Sequence, residues 1–81
     1  MLPTLLRFEG FRLFFYSNEG SEPHHVHVEK NGNMAKLWLS PVAIEYSHGF
    51  NQREITKLTR VVEENRELLI TKWNEYFGTC V

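Results

Sequence analysis

Apolar and polar residues alternate through the first half of the chain, and apolar residues recur at helical spacing through the second. Alternation places every second side chain on one face of a strand. Spacings of three and four place side chains on one face of a helix. Residues 5–8 and 11–16 flank Glu9-Gly10, which reads as a two-residue hairpin turn. That turn sets Phe8 opposite Phe11, Arg7 opposite Arg12 and Leu6 opposite Leu13. Leu6, Phe8, Phe11, Leu13 and Phe15 then share an apolar face, and Arg7, Arg12, Phe14 and Tyr16 share the other.

Residues 17–23 are rich in turn formers and predict a loop. Residues 24–30 predict a third strand, Asn31-Gly32 a type I′ turn, and residues 33–40 a fourth strand. The turn fixes the register. Lys30 meets Asn33, Val28 meets Ala35, Val26 meets Leu37 and His24 meets Leu39. On the opposite face Glu29 meets Met34, His27 meets Lys36 and His25 meets Trp38. A slip by one residue would mix the two sets, so the pattern supports this pairing. Pro41 introduces residues 42–46, a short fifth strand at a sheet edge, where proline is tolerated. Residues 47–51, with Ser47-His48-Gly49 as a turn, predict a loop.

From Gln52 to about Phe77 the pattern is helical, with Ile55, Leu58, Val62, Leu69, Trp73 and Tyr76 as the apolar stripe. Val61, Leu68 and Phe77 widen the stripe, and Asn65 interrupts it. Asn51 suits the N-cap, Glu54 completes a capping box, and Gly78 suits the C-cap. A helix of about 26 residues is roughly 39 Å long at ~1.5 Å per residue. Four or five strands span only about 20 Å. The helix therefore bends near Asn65 or packs its end on another chain. The expected fold is a single α+β domain of residues 1–81, an antiparallel sheet of four or five strands made of two β-hairpins and a short edge strand. One long C-terminal helix covers one face. The other face carries Arg7, Arg12, Phe14, Tyr16, His25, His27, Lys36 and Trp38, with no element left to cover it.

Composition narrows the class of partner. The chain has 81 residues, 14% of them aromatic, which is generous core material for a small domain. A net charge of −1 gives no global field toward nucleic acid or an anionic membrane. A lone cysteine, Cys80, excludes an internal disulfide and suits a reducing compartment. Met1-Leu2-Pro3 lacks the basic start of a signal peptide, and no apolar run approaches the ~20 residues of a membrane span. The expected location is the cytoplasm. Glycine-rich phosphate loops, helix-turn-helix units and zinc fingers have no counterpart here.

The densest chemistry lies in Glu22-Pro23-His24-His25-Val26-His27-Val28-Glu29. With the valines in the core, His25, His27 and Glu29 are displayed on the opposite face. Imidazole is the side chain best suited to move protons or hold a metal near neutral pH. Together with Phe14-Phe15-Tyr16-Ser17-Asn18-Glu19-Gly20, Glu64-Asn65-Arg66 and Trp73-Asn74-Glu75-Tyr76-Phe77, this segment resembles a small prokaryotic family, domain of unknown function 4160. Its members usually carry proline where this chain has His24, so the resemblance transfers to His25 and His27. It also implies a toxin–antitoxin-like pairing with a genomically adjacent short protein.

Three readings follow. In the first, a metal-independent ribonuclease-like or RNA-binding toxin uses His25 and His27 as acid and base. Lys36, Arg7 and Arg12 neutralise phosphate, and Trp38, Tyr16 and Phe14 stack bases, with no cofactor. In the second, His25 and His27 hold a metal with Glu22 or Glu29. In the third, an antitoxin-like module binds a partner through Trp38, Phe14, Tyr16 and the helix end, or pairs with a second copy through the long helix. In each of these Glu19 or Glu22 can orient an imidazole.

Overall fold

The two predicted tight turns build the sheet. In the computed structural model, which describes residues 4–16 and 19–78, Glu9 and Gly10 both have positive φ (46° and 86°), as do Asn31 and Gly32 (51° and 83°). These are the angles a type I′ hairpin requires. The strands are β1 (Thr4–Phe8), β2 (Phe11–Phe14), β3 (His25–Lys30), β4 (Asn33–Leu39) and β5 (Val42–His48), antiparallel in that order. Phe8 pairs with Phe11, Arg7 with Arg12 and Leu6 with Leu13. In the second hairpin His25 pairs with Trp38, Val26 with Leu37, His27 with Lys36 and Val28 with Ala35. His24 lies just outside β3, but its carbonyl still accepts from the Leu39 N–H at 3.0 Å. The segments assigned to Met1-Leu2-Pro3, Ser17-Asn18 and Cys80 fall outside the described residues.

β5 is longer than the sequence suggested. Tyr46, Ser47 and His48 pair with Lys36, Ala35 and Met34, past an irregularity opposite Lys36 and Leu37. The polar Ser-His-Gly run reads as a turn by composition. At an edge strand with one face toward solvent, polar residues fit equally well.

One sheet face is apolar and packs against the helices. Phe11, Leu13, Phe15, Val26, Val28, Ala35, Leu37 and Leu39 are buried against Leu58, Val62, Leu69 and Trp73. Leu68 and Tyr76, expected to line or widen the stripe, are exposed.

The expected single helix is two, α1 (Gln52–Glu64) and α2 (Arg66–Phe77). Asn65 leaves helical geometry at φ −110° and ψ 15°. Its N–H is shared between the Val61 and Val62 carbonyls, and its side-chain amide donates to Val61 O at 2.8 Å. A short amide side chain that competes for backbone acceptors disfavours a helix interior. Arg66 then anchors the start of α2, donating to Leu39 O at 2.6 Å and to Ser40 Oγ at 2.8 Å. The break shortens the rod that would otherwise overhang the sheet. No helix among the described residues is long and apolar enough to cross a membrane.

The start of α1 is held by the capping box. Asn51 Oδ1 accepts from the Glu54 N–H at 2.9 Å, and Glu54 Oε1 accepts from the Asn51 N–H at 3.1 Å. Asn51→Ala removes one of these bonds and is expected to cost about 1 kcal/mol. In a thermal melt that corresponds to a fall of about 4–8 °C. An unchanged melting temperature would show that the cap contributes nothing.

Candidate functional site

Alternation along β3 sends His25 and His27 to the face away from the helices, as expected. That face is not open there. Residues 19–24 fold back over the strand, with a turn closed by Glu22 N–H to Glu19 O at 3.1 Å. Glu19 Oε1 lies 2.8 Å from His25 Nε2 and 2.7 Å from His27 Nε2. His25 Nδ1 lies 2.9 Å from the Pro23 carbonyl. The result is near-total burial, with His25 at 0%, His27 at 3% and Lys36 at 9% exposure.

The aromatic residues wall this cluster. His27 stacks on Phe14 (centroids 5.6 Å apart) and meets Tyr16 edge-on at 4.5 Å. His25 contacts Trp38 at 5.6 Å and Trp73 at 4.8 Å. Trp73 thus joins the helix core to the histidines, at the end of the sheet where β2 has stopped pairing. Phe14 is 1% exposed, so it is a wall and not the surface anchor expected of it. Tyr16 and Trp38 are half-buried, and Arg7 is exposed at the β1 edge, opposite Arg12.

Two cations of this face, Lys36 and Arg12, are matched by acids. Lys36 Nζ donates to Glu22 Oε1 at 2.8 Å and sits 4.6 Å over the Trp38 ring. Arg12 Nε donates to Glu29 Oε1 at 2.6 Å, with the guanidinium over Phe14. Burial works against the Lys36 ammonium, but the bond to Glu22 and its charge prevail and raise its pKa above the ordinary value. Burial likewise opposes ionisation of Glu19, yet its contacts with the His25 and His27 rings hold its carboxyl below the usual range. His27 is lowered, chiefly by burial, against the pull of Glu19. Glu22 and Glu29, expected as metal partners, are committed to Lys36 and Arg12, and Glu19 is the carboxylate that meets both rings.

β5 adds residues that sequence reasoning missed. The register sets Tyr46 beside Lys36 and His48 beside Met34, on the histidine face. Burial raises the Tyr46 pKa, helped by Tyr16 nearby. Glu45 accepts from Trp38 Nε1 at 2.9 Å. The predicted fifth strand already held Tyr46, and extending it by two residues would have brought His48 into view. His24, the family departure, turns toward α2, with Nε2 3.1 Å from Asn74 Oδ1. Beside the cluster, Pro23, His24, Trp38, Ser40, Pro41 and Ala43 line a surface concavity of about 330 Å³.

Chemically, two imidazoles converging on one carboxylate can hold protons or a cation. The Trp38 concavity can take a ring or an aliphatic side chain. No curated protein and no solved structure matches the chain. The model of the family described as domain of unknown function 4160 matches residues 10–74, which include both histidines, the covering loop and most of both helices, and the chain belongs to that family.

Proposed function

We propose that the chain is a partner-binding member of a toxin–antitoxin-type pair in the cytoplasm. It holds its partner at the Trp38 concavity and does not act on RNA through His25 and His27. The pairing itself is drawn from the family resemblance. The contrast between closed and open parts of the histidine face carries the choice of reading. His25 offers no surface to a substrate, and of the three cations that phosphate recognition would use, Lys36 and Arg12 are already neutralised by Glu22 and Glu29, leaving Arg7 at the β1 edge. The indole of Trp38, by contrast, is partly exposed between Pro23, Pro41 and Ala43. A half-buried tryptophan in a pocket is the usual anchor of a protein interface.

The test is co-expression with the genomically adjacent short protein. Wild-type chain is expected to co-purify with it, and Trp38→Ala, checked for folding by circular dichroism, to weaken the complex at least tenfold. His27→Asn is expected to keep it. A complex indifferent to Trp38 would contradict the proposal. So would growth arrest on expression that His27→Asn removes, the signature of the ribonuclease-like alternative.

A further inference from the structure

The geometry points to a divalent metal site, with Glu19 Oε1, His25 Nε2 and His27 Nε2 as protein ligands for an ion of the zinc class. These three atoms lie within 4.8 Å of one another. A carboxylate with two imidazoles is an established donor set for zinc and for other first-row divalent ions. The sequence suggested Glu19 only as a residue that orients an imidazole, with Glu22 or Glu29 as the metal carboxylate, because Glu19 meets both histidines only once the loop has folded back.

The hydrogen inventory of His25 is the second, independent observation. A carbonyl oxygen only accepts, so His25 Nδ1, 2.9 Å from Pro23 O, carries a proton. In the neutral ring Nε2 is then a lone pair. It faces Glu19 Oε1 at 2.8 Å, and the ionised carboxylate is an acceptor too. A cation between the two would take lone pairs from both. His25 then has the arrangement typical of a metal-bound imidazole, with the remote N–H held by a backbone carbonyl. His27 Nδ1 has no partner with or without the ion and does not bear on the choice.

Ligands at ~2.0–2.1 Å in a tetrahedral site stand about 3.3 Å apart. Glu19 has to withdraw from each ring by roughly half an ångström, and the two nitrogens, within 4.8 Å of each other, to draw together by up to about 1.5 Å. Lys36 is the nearest opposing charge, and Glu22 neutralises it at 2.8 Å. Glu19 keeps part of its surface, with 19% of its side chain exposed, which leaves a route in for the ion and a position for water. The ion would tie the covering loop to β3. This site stands apart from the partner proposal, since its ligands lie between the loop and β3, and the Trp38 concavity lies beside it.

The experiment uses untagged full-length protein titrated with Co²⁺. One ion per chain is expected, with the visible absorption bands of a four- or five-coordinate site and displacement by Zn²⁺. Glu19→Gln and His27→Asn should each lower the affinity at least tenfold. Zinc added to ¹⁵N-labelled wild type should shift the Nε2 resonances of His25 and His27 and leave His24 and His48 in place. That readout decides the matter even where a variant fails to fold. Absence of stoichiometric binding, affinity unchanged in both folded variants, or shifts confined to His24 and His48 would overturn the assignment.

Discussion

Trp73→Ala is expected to destabilise the protein by about 3–5 kcal/mol, the usual cost of removing a buried large aromatic side chain. Trp73 is 2% exposed and occupies a junction. Its ring lies 5.0 Å from Phe15 and 4.4 Å from Phe77 within the helix-side core, and 4.8 Å from His25 on the other side of the sheet end. A chain of this length has a total stability of only about 4–12 kcal/mol. The substitution should therefore leave a large unfolded fraction or shift the urea midpoint strongly downward. Because Trp73 also backs His25, the variant should expose the loop of residues 19–24 as well as loosen the core. Trp73→Phe, which keeps most of the apolar volume, should recover more than half of the loss. A urea midpoint in Trp73→Ala close to wild type would show that the ring is not held as described.

Glu19→Ala should cost about 2–4 kcal/mol in metal-free protein. The substitution leaves two buried imidazole nitrogens facing a void, and leaving a buried polar partner unsatisfied costs about 1–3 kcal/mol each. The penalty falls below the sum because the alanine leaves room for water to enter. The sign of the second substitution is the diagnostic part. Replacing His27 by Phe in the Glu19→Ala background removes one orphaned ring and should restore part of the stability, since an apolar substitute of similar shape is tolerated where a broken polar pair is not. In the wild-type background the same His27→Phe change should be destabilising, because Glu19 then loses a donor. Four urea melts give the cycle. Equal effects of His27→Phe in both backgrounds would mean that Glu19 and His27 do not interact.

Both hairpins were legible in the sequence because the determinants are local. Glu9-Gly10 and Asn31-Gly32 specify positive-φ turns, and each turn fixes the register of its strands. The capping box at Asn51 and Glu54 was equally local, as was Gly78, which ends α2 at φ 66°. What the sequence hid depends on contacts between distant residues. Gly20 lies so close to Phe77 that an added Cβ would come within 2.6 Å of its ring, so α2 helps to position the loop. That docking brings Glu19 onto His25 and His27 and buries the two rings on a face that the sequence left open. Alternation says which side of the strand a histidine takes; it does not say whether a loop will cover it. The same limit applies to Phe14, predicted as a surface anchor and found as a wall. The interruption at Asn65 was visible as a polar residue in an apolar stripe. That it ends one helix and starts another depends on its amide reaching Val61 and on Arg66 reaching Leu39.

The central claim is that recognition occurs beside the histidine cluster while the cluster itself stays closed. Amide and indole N–H spectra of ¹⁵N-labelled chain, recorded as the unlabelled neighbouring protein is added, test it most directly. The account predicts shifts centred on the Trp38 indole, Ser40 and Ala43, with His25 and His27 little changed. Shifts centred on Leu68 and Tyr76, or no binding by the neighbour together with shifts at His25 and His27 on adding an RNA oligonucleotide, would contradict it.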